Sequence, residues 1–419
     1  MKKFWALAGI VFLLGGCESF GKGVAQAFLE KEEAKDNRKC EIVGDSIIGI
    51  DGYLAQNNTV KVMMIHGVGT HTPGYSTRIR ENLAKALNLT VWSNKSKQIT
   101  LVNPDDEKTD IGTLVITRMQ NEDLSKTMLF YELTWSGITS KEKQILLYDN
   151  SGTYSYKRAA FNNSMKAFLN DTVPDPMIYL VDKNNLILNA AKQSTCWMLS
   201  KNWKDLKYKQ RAVCRVSSYD QIKNLSHENI VYITHSLGSR ILLDSVIDVA
   251  DQVSNLYFDP QADNAEEVQR ILEILKNKEI TVFMLANQLP LLQIGRPKPS
   301  VTNKIDAYCS PKSKMYKSRV FKQVKIIAFS DPNDLLSYGI TQDFVDNYID
   351  SRICPSVTNV DINIADIISA FGVGVVNPVA AHTEYDNDKR VIEIISKGTV
   401  DFQNDKILEA KCNFIKLNK

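Results

Sequence analysis

The chain has 419 residues, of which 44% are hydrophobic and 24% are charged. This apolar fraction excludes an intrinsically disordered protein, because such chains lack the apolar surface that offsets the entropy lost on folding. The 51 basic and 48 acidic side chains nearly cancel, so the composition gives no electrostatic footprint for a nucleic-acid partner. The length suits one large α/β domain or about two or three ordinary domains.

The first residues have the layout of a secretory leader. Two lysines precede an uncharged apolar run at 4–14, and a helix of that length rises only about 16 Å, too little to span a hydrocarbon core. The pattern is typical of a signal peptide rather than of a membrane-spanning helix. We therefore expect a leader at 1–16, a polar tether at 17–44 and a folded domain at 45–419.

The apolar run ends in Leu14-Gly15-Gly16-Cys17, which resembles the lipobox of bacterial lipoproteins. The resemblance implies cleavage before Cys17 and acylation of its thiol, and two or three acyl chains anchor a protein far more firmly than one. Because Glu18 rather than Asp follows, it also implies the outer membrane of the bacterial cell envelope, with the protein facing the periplasm. The alternative is an ordinary secretory signal peptide with a chance cysteine.

The chain has 7 Cys, and if Cys17 carries lipid the remaining even number is compatible with three disulfides outside the cytoplasm. The alternative is buried free thiols. No pair has the C-x-x-C spacing of a zinc site, and no cofactor is expected. The pairing that closes the shortest loops first is Cys196–Cys214 and Cys309–Cys354, which leaves Cys40–Cys412.

Apolar runs along the rest of the chain predict strands that are buried on both faces. The predicted strands are 60–65, 113–117, 128–135, 229–234, 280–286 and 324–329. Helical patterns alternate with them at 77–87, 155–170, 237–251 and 264–277. This alternation predicts an α/β domain with a mostly parallel central sheet flanked by helices. The stretch 137–225 is helical in pattern without a sheet strand, and we interpret it as a cap-like insertion.

A serine directly follows one of the strongest predicted strands. The apolar run N-I-V-Y-I leads into Thr234-His235-Ser236-Leu237-Gly238, and an amphipathic helix starts at once. A nucleophile elbow needs this strand–turn–helix context to lift a hydroxyl above the edge of a sheet. The segment resembles the G-x-S-x-G elbow of the α/β-hydrolase serine lipases and esterases, with Thr234 replacing the first glycine. The resemblance implies an α/β-hydrolase fold with Ser236 as the nucleophile.

The first predicted strand, V-K-V-M-M-I, ends in His66-Gly67-Val68-Gly69, which resembles the oxyanion loop of the same superfamily. Acyl transfer puts negative charge on an oxygen, and fixed backbone N–H groups stabilise that charge by several kcal/mol in total. The resemblance implies that the amides of Val68 and Leu237 are the donors. The alternative is a glycine-rich turn that only permits tight packing.

In the superfamily, the acid and then the base follow the nucleophile along the chain. Among the 5 histidines only His382 comes after Ser236, in a loop-like stretch, so this order implies it as the base. The last predicted strand is followed by Asp331 and Asp334. The family offset favours Asp334 as the acid, whereas Asp331 stays an alternative that can instead accept hydrogen bonds within its turn. Two more distant candidates are Asp361 and Asp366.

The ordered motifs predict a membrane-anchored serine hydrolase that cleaves carboxylic esters through a Ser-His-Asp triad and an acyl-enzyme. A lipid anchor favours lipid or long-chain acyl esters as substrates. A non-catalytic envelope lipoprotein that acts as a scaffold or binding module is one alternative, and an acyltransferase or thioesterase is another. His66 and His71 as metal ligands form a further hypothesis, although their spacing matches no zinc-hydrolase motif.

Overall fold

The fold is described from a computed structural model of the chain. The structure describes residues 38–91, 96–150, 156–182, 185–216, 219–257, 265–370 and 373–417. The leader at 1–16, Cys17 and the tether up to residue 37 lie outside these ranges. Within the ranges, no helix combines the length and the apolarity that crossing a membrane requires.

A mixed, mostly parallel sheet of 12 strands runs through the molecule, and a separate two-stranded hairpin lies near the C-terminus. The strands, numbered along the chain, are β1 Cys40–Gly44, β2 Thr59–Ile65, β3 Thr90–Val91, β4 Lys97–Val102, β5 Asp110–Gln120, β6 Thr127–Thr134, β7 Lys209–Ala212, β8 Asn229–His235, β9 Glu279–Leu285, β10 Gln323–Ser330, β11 Pro355–Asp361, β12 Ile368–Ala370, β13 Val373–Val375 and β14 Cys412–Lys416. The order across the sheet is β14-β1-β11-β10-β9-β8-β2-β6-β5-β4-β7, with β3 beside β5.

Helices lie between these strands and cover the sheet. The α-helices are α1 Ile50–Asn57, α2 Thr77–Ala86, α3 Gly137–Lys143, α4 Ala160–Thr172, α5 Pro174–Val181, α6 Leu186–Ser200, α7 Tyr219–Ile222, α8 Leu237–Tyr257, α9 Ala265–Lys276, α10 Leu289–Gln293, α11 Ile305–Cys309, α12 Gln342–Tyr348, α13 Pro378–Thr383, α14 Lys389–Ser396 and α15 Lys406–Lys411. Short 3-10 helices lie at Gln144–Asn150, Trp203–Asp205, Lys223–Ser226, Lys314–Ser318, Ser351–Ile353, Glu384–Asn387 and Phe402–Asn404.

The apolar runs form the centre of the sheet because they can be buried on both faces. In β2, Val60, Val62 and Met64 belong to one apolar core, whereas Met63 and Ile65 belong to the other, as the two-residue period of a strand requires. Helices α6 and α8 close the second core, and α1, α2 and α14 close the first. The predicted α/β class, with a mostly parallel sheet flanked by helices, is confirmed.

The chain order reverses between two neighbouring strands of the parallel part. Strands β6, β2, β8, β9, β10 and β11 are parallel to one another. From β2 the chain goes on to β6 on one side, whereas from β8 it goes through β9 and β10 to β11 on the other side. Open α/β sheets bind ligands at the carboxyl ends of the strands where the order reverses. The segments that follow β2 and β8 therefore lie where a functional site is expected.

Two expectations need correction at the edges of the sheet. Residues 40–44, assigned from the sequence to the tether, form β1 between β11 and β14, so the folded domain begins before residue 45. The insertion at 137–225 is helical as expected but also contains β7, a four-residue edge strand beside β4. The strand predicted at 113–117 is confirmed as part of β5, which is antiparallel to both of its long neighbours. Short or polar edge strands lack the continuous apolar pattern of the centre, which is why they are hard to predict.

The described residues contain three disulfides, with the pairing expected from the sequence. Cys40 lies opposite Cys412 where β1 pairs with β14, so this bond joins the two ends of the described chain. The other two bonds are Cys196–Cys214 and Cys309–Cys354.

Removing the terminal disulfide with Cys40→Ser and Cys412→Ser is expected to lower the free energy of unfolding by about 4–5 kcal/mol, because it constrains the largest loop of the unfolded chain. Its sequence separation is 372, against 18 for Cys196–Cys214. The matched double serine variant of the short loop should lose only about 3 kcal/mol. Urea unfolding of both variants measures the difference, and a larger loss for the short loop would contradict the expectation.

Candidate active site

Ser236 lies at the carboxyl end of β8, where the strand turns directly into α8. Its φ is +54°, in the left-handed region that costs a residue with a side chain about 1–2 kcal/mol. Its amide donates to the carbonyl oxygen of Leu285 in β9 at 2.9 Å. Gly238 lets the turn pass close to β2, because a Cβ on it would lie 2.5 Å from the carbonyl oxygen of Ile65. Ser236 thus occupies a strained strand–turn–helix corner.

Thr234 stands where the elbow pattern has a glycine, and the structure accommodates its side chain. The residue is fully buried in β8. Its Oγ1 lies 2.9 Å from the Oγ of Ser239 in the first turn of α8, so the two hydroxyls form a hydrogen bond across the corner. The substitution therefore adds a contact that ties the strand to the helix.

The segment after β2 packs directly against this corner. A Cβ on Gly67 would lie 2.6 Å from the Cβ of Ser236, so only glycine permits this approach. The next residue along the chain is Val68, and the residue after Ser236 is Leu237. The two amides implied as oxyanion donors therefore follow two residues that are in van der Waals contact.

His66 fixes the peptide unit that carries the Val68 amide. The backbone N–H of Trp135 donates to His66 Nε2 at 3.1 Å, so Nδ1 carries the hydrogen and donates to the carbonyl oxygen of Gly67 at 2.8 Å. The ring is stacked on Trp135 with centroids 4.5 Å apart. Burial, and then the neighbouring His71, lower the pKa of His66 well below its usual value, so the ring is neutral. Because the Gly67 carbonyl and the Val68 N–H belong to one planar peptide, this bond sets the direction of the Val68 amide.

These contacts weaken the metal hypothesis for His66 and His71. Both ring nitrogens of His66 are engaged in hydrogen bonds, so neither offers a free lone pair to a metal ion. His71 Nε2 lies 3.2 Å from the carbonyl oxygen of Val68. In the part of the chain that the structure describes, no group of three histidine, cysteine or acidic side chains is arranged to hold a metal.

His382 lies on α13 rather than in the loop expected from the sequence. The Asn377 side chain accepts from the amides of Val379 and Ala380 at 3.0 and 3.3 Å, and Pro378 occupies the first turn. An asparagine cap followed by proline is a common start of a helix, and the short apolar sequence conceals it. The helix gives His382 a fixed position beside the elbow.

The His382 ring contacts Asp334 and not Asp331. His382 Nδ1 lies 2.8 Å from Asp334 Oδ2, and the other carboxylate oxygen accepts from the Leu336 amide at 2.9 Å. Asp331 accepts from the amides of Asn333 and Ile364 at 2.7 and 2.6 Å, so it joins the loops that follow β10 and β11. Of the more distant candidates, Asp361 accepts from a serine hydroxyl and Asp366 is exposed.

The charge state of Asp334 follows from its surroundings. Burial raises the pKa of this carboxyl, but the hydrogen bond and charge of His382 and the Leu336 amide outweigh burial and lower it overall. Asp334 is therefore ionised at neutral pH. An ionised carboxylate on Nδ1 holds the hydrogen there and leaves the Nε2 lone pair free to accept a proton.

His235 holds His382 from the other side. Its Nε2 donates to the backbone carbonyl oxygen of His382 at 2.8 Å, which ties the residue before Ser236 to α13. Burial, and then the nearby His382, lower the pKa of His235 to about 3. His235 therefore stays neutral between pH 5 and pH 9 and keeps this hydrogen bond throughout that range.

Two carboxylates of the insertion and one of the sheet bind the loop after β2, and none was predicted from the sequence. Asp175 accepts from the Gly69 amide at 2.6 Å, and Asp171 accepts from the Thr70 amide at 2.9 Å. Glu132 in β6 is buried and accepts from the Gly74 amide at 2.5 Å. The sequence gives a signal for Glu132, because a charged residue within an apolar strand is unusual. It gives no comparable signal for the two aspartates.

The polar atoms that would react are buried. Ser236 Oγ and His382 Nε2 both lie out of contact with solvent, and neither has a hydrogen-bond partner within the described ranges. Unpartnered buried polar atoms are rare in folded proteins and call for a functional explanation. In unliganded sites the bond between nucleophile and base is often long and tightens only with substrate.

Comparisons with protein-family models, curated proteins and solved structures gave no match for this chain.

Proposed function

We propose that the chain is a serine hydrolase of the α/β-hydrolase fold that cleaves carboxylic esters. The observation that carries the proposal is the 2.8 Å contact between His382 Nδ1 and Asp334 Oδ2, on a helix that His235 ties to the Ser236 corner. A non-catalytic scaffold would not explain why an imidazole and a carboxylate are buried beside a serine in a strained conformation. Active sites commonly retain strained residues although they lower the stability of the fold.

The topology supports the same reading. The serine follows β8, the acid follows β10, and the base follows β11 after the β12–β13 hairpin, which is the Ser-Asp-His order of the superfamily along the chain. The glycine-rich loop follows β2, the neighbour of β8 at the reversal of strand order. All four segments therefore meet at one end of the sheet.

In the proposed reaction, Ser236 Oγ attacks the ester carbonyl carbon while its proton passes to His382 Nε2. The N–H groups of Val68 and Leu237 stabilise the negative charge on the carbonyl oxygen, and Asp334 stabilises the imidazolium. When the ester C–O bond breaks, His382 gives the proton to the leaving alcohol. Water then attacks the acyl-serine, His382 again takes and returns a proton, and the free acid leaves.

The surface of the insertion favours lipid or long-chain acyl esters as substrates. Val173, Met177, Leu180 and Val181 have the spacing of one helical face along α5 and are exposed, Met177 by 61% and Val181 by 73%. Clustered exposed apolar side chains mark interaction surfaces. Further exposed apolar side chains of the insertion are Ile145, Leu147, Tyr148, Tyr156, Phe168 and Leu169.

The same proposal includes anchoring of the protein through an acylated Cys17 to the bacterial outer membrane, facing the periplasm. The lipobox-like run before Cys17 supports the anchor. The three disulfides support an oxidising compartment outside the cytoplasm. An anchored enzyme would meet acyl lipids in the membrane that holds it.

Labelling with a biotinylated fluorophosphonate tests the class of enzyme, because this probe phosphonylates an activated serine. The folded wild-type protein should react stoichiometrically and should hydrolyse p-nitrophenyl esters. A folded protein that stays unlabelled would overturn the proposal and favour the scaffold alternative. Faster transfer of the acyl group to an alcohol than to water would favour an acyltransferase, and a preference for acyl thioesters would favour a thioesterase.

Chain-length profiling tests the substrate class. Each methylene buried in an acyl pocket contributes about 0.8 kcal/mol, so kcat/KM should rise at least about tenfold from p-nitrophenyl acetate to the octanoate. A profile that peaks at acetate would contradict the lipid version while leaving the serine hydrolase intact.

A further inference from the structure

The insertion supplies a buried ion pair to the loop after β2. Asp175 lies at the start of α5 with its side chain fully buried, and Lys143, at the end of α3, places Nζ 2.7 Å from Asp175 Oδ1. The other oxygen, Oδ2, accepts from the Gly69 amide at 2.6 Å. A buried charge is expensive unless it is paired and hydrogen-bonded. Oδ1 of Asp175 is therefore held by the charge of Lys143, and Oδ2 by the hydrogen bond from the oxyanion loop.

The Gly69 amide belongs to a peptide unit that is held at both ends. The carbonyl of this unit is that of Val68, whose oxygen lies 3.2 Å from His71 Nε2, and its N–H is bound by Asp175. His66 holds the preceding unit through the Gly67 carbonyl. The Val68 N–H thus belongs to the first of two consecutive peptide planes that are both held in place, and Asp175 holds the second plane from the insertion.

The backbone at Gly69 matches this contact. Its φ is +95°, which glycine adopts without strain, and a Cβ there would lie 3.3 Å from Asp171 Oδ2. The presence of Lys143 beside Asp175 has an electrostatic explanation. Carboxylates near an oxyanion site would oppose the negative charge that forms in acyl transfer. Lys143 lies 2.7 Å from Asp175 and 3.3 Å from Asp171, so it offsets one of the two negative charges that the insertion places at this loop. The Asp175 carboxylate, paired with Lys143, offers the Gly69 amide a strong, charge-assisted acceptor.

From this geometry we propose that Asp175, paired with Lys143, is a positioning residue for the oxyanion loop. It acts through the Gly69 amide to hold the Val68 N–H toward Ser236. The inference rests on the proposed serine hydrolase activity. It makes the insertion a fixed part of the active site rather than only a cover over it.

The test compares Asp175→Ala with Asp149→Ala. Asp149 is also a buried carboxylate of the insertion, and it pairs with Arg158 at 2.7 Å and accepts from Asn170 at 3.1 Å. The readouts are kcat and KM for p-nitrophenyl butyrate and the rate constant of phosphonylation by the fluorophosphonate. Each rate is expressed per active site counted by exhaustive labelling, so that misfolded protein does not contribute.

Asp175→Ala should lower kcat and the phosphonylation rate constant together by about 10- to 100-fold, with KM within about threefold. This loss is smaller than the 10²- to 10³-fold cost of deleting an oxyanion donor, because the Val68 N–H is loosened and not removed. Asp175→Asn keeps one acceptor for the Gly69 amide and should recover part of the rate. Asp149→Ala should keep kcat within about threefold of the wild type, even where its melting temperature falls.

Each other outcome overturns a stated part of the reasoning. A wild-type protein that does not label overturns the proposed function itself. Normal labelling of the wild type, with an unchanged phosphonylation rate in Asp175→Ala, overturns only the positioning role. Equal losses in the Asp175 and Asp149 variants would also overturn it, since they would reflect general damage to the insertion. Should Asp175→Ala not fold, Asp175→Leu carries the same comparison, because it fills the volume of the side chain without offering an acceptor to the Gly69 amide.

Discussion

Replacing Ser236 with alanine is expected to lower kcat by about 10⁵- to 10⁶-fold and to abolish fluorophosphonate labelling, because no acyl-enzyme can form without the nucleophilic oxygen. The fold should not suffer. The Ser236 hydroxyl is buried and has no hydrogen-bond partner among the described residues, so its removal should leave the free energy of unfolding unchanged or raise it by up to about 1 kcal/mol. Ester hydrolysis, gel fluorescence and urea unfolding give the three readouts.

Ser239 offers the matched control for this variant. It is also a fully buried serine at the same corner, but its hydroxyl is bound to Thr234 Oγ1 at 2.9 Å. Ser239→Ala should therefore keep the label on Ser236 while losing about 1 kcal/mol of stability. Labelling that survives in Ser236→Ala would show that another residue is the nucleophile.

The centre of the fold and the location of the site follow from the sequence for one physical reason. Strands buried on both faces must be almost continuously apolar, so β2 and β8 can be recognised in the sequence as apolar runs. Parallel neighbours end at the same edge of a sheet. Gly67 and Ser236, which come within two residues of the ends of these strands, are therefore predictable neighbours although 169 positions separate them along the chain.

The family offset favoured Asp334 as the acid, but the residues themselves did not decide between Asp331 and Asp334. Asp331 and Asp334 lie in one loop after β10, and each is followed by residues whose amides it binds. Which of them meets His382 depends on where α13 packs, and this short helix begins from an asparagine cap that the sequence hides in an apolar stretch. The tertiary packing of α13 therefore decides which of the two carboxylates contacts His382.

The contacts that the insertion makes with the loop after β2 could not be predicted from the sequence either. Asp175 binds a backbone amide 106 positions away, and an acceptor that binds a main-chain N–H leaves no complementary side chain in the sequence of its partner. Lys143 ends a lysine-rich stretch in which no single residue is distinguished. Only the packing of α3 and α5 against the loop after β2 selects these two side chains.

Asp334→Asn is expected to lower kcat by about 10⁴-fold, the loss that follows when an amide replaces the carboxylate that holds the histidine tautomer. The carboxylate contacts His382 Nδ1 at 2.8 Å, and an amide can present its NH₂ group there and force the wrong tautomer. The control is Asp331→Asn. It weakens the contacts with the Asn333 and Ile364 amides, so it should lose about 1–3 kcal/mol of stability and less than about tenfold in kcat. The reverse pattern would make Asp331 the acid.

Acid unfolding gives a second, independent measurement on Asp334. The pKa of this carboxyl is lower in the folded protein than its ordinary value of 3.8, mainly because the contact with His382 outweighs burial. A lowered pKa stabilises the fold at pH values above 3.8, and this stabilisation is lost as the pH falls through the folded-state pKa. The gap in unfolding free energy between wild type and Asp334→Asn should therefore be full at pH 7 and should narrow below pH 3.8. A gap that stays constant down to the acid limit would mean that the carboxylate does not draw its stability from His382.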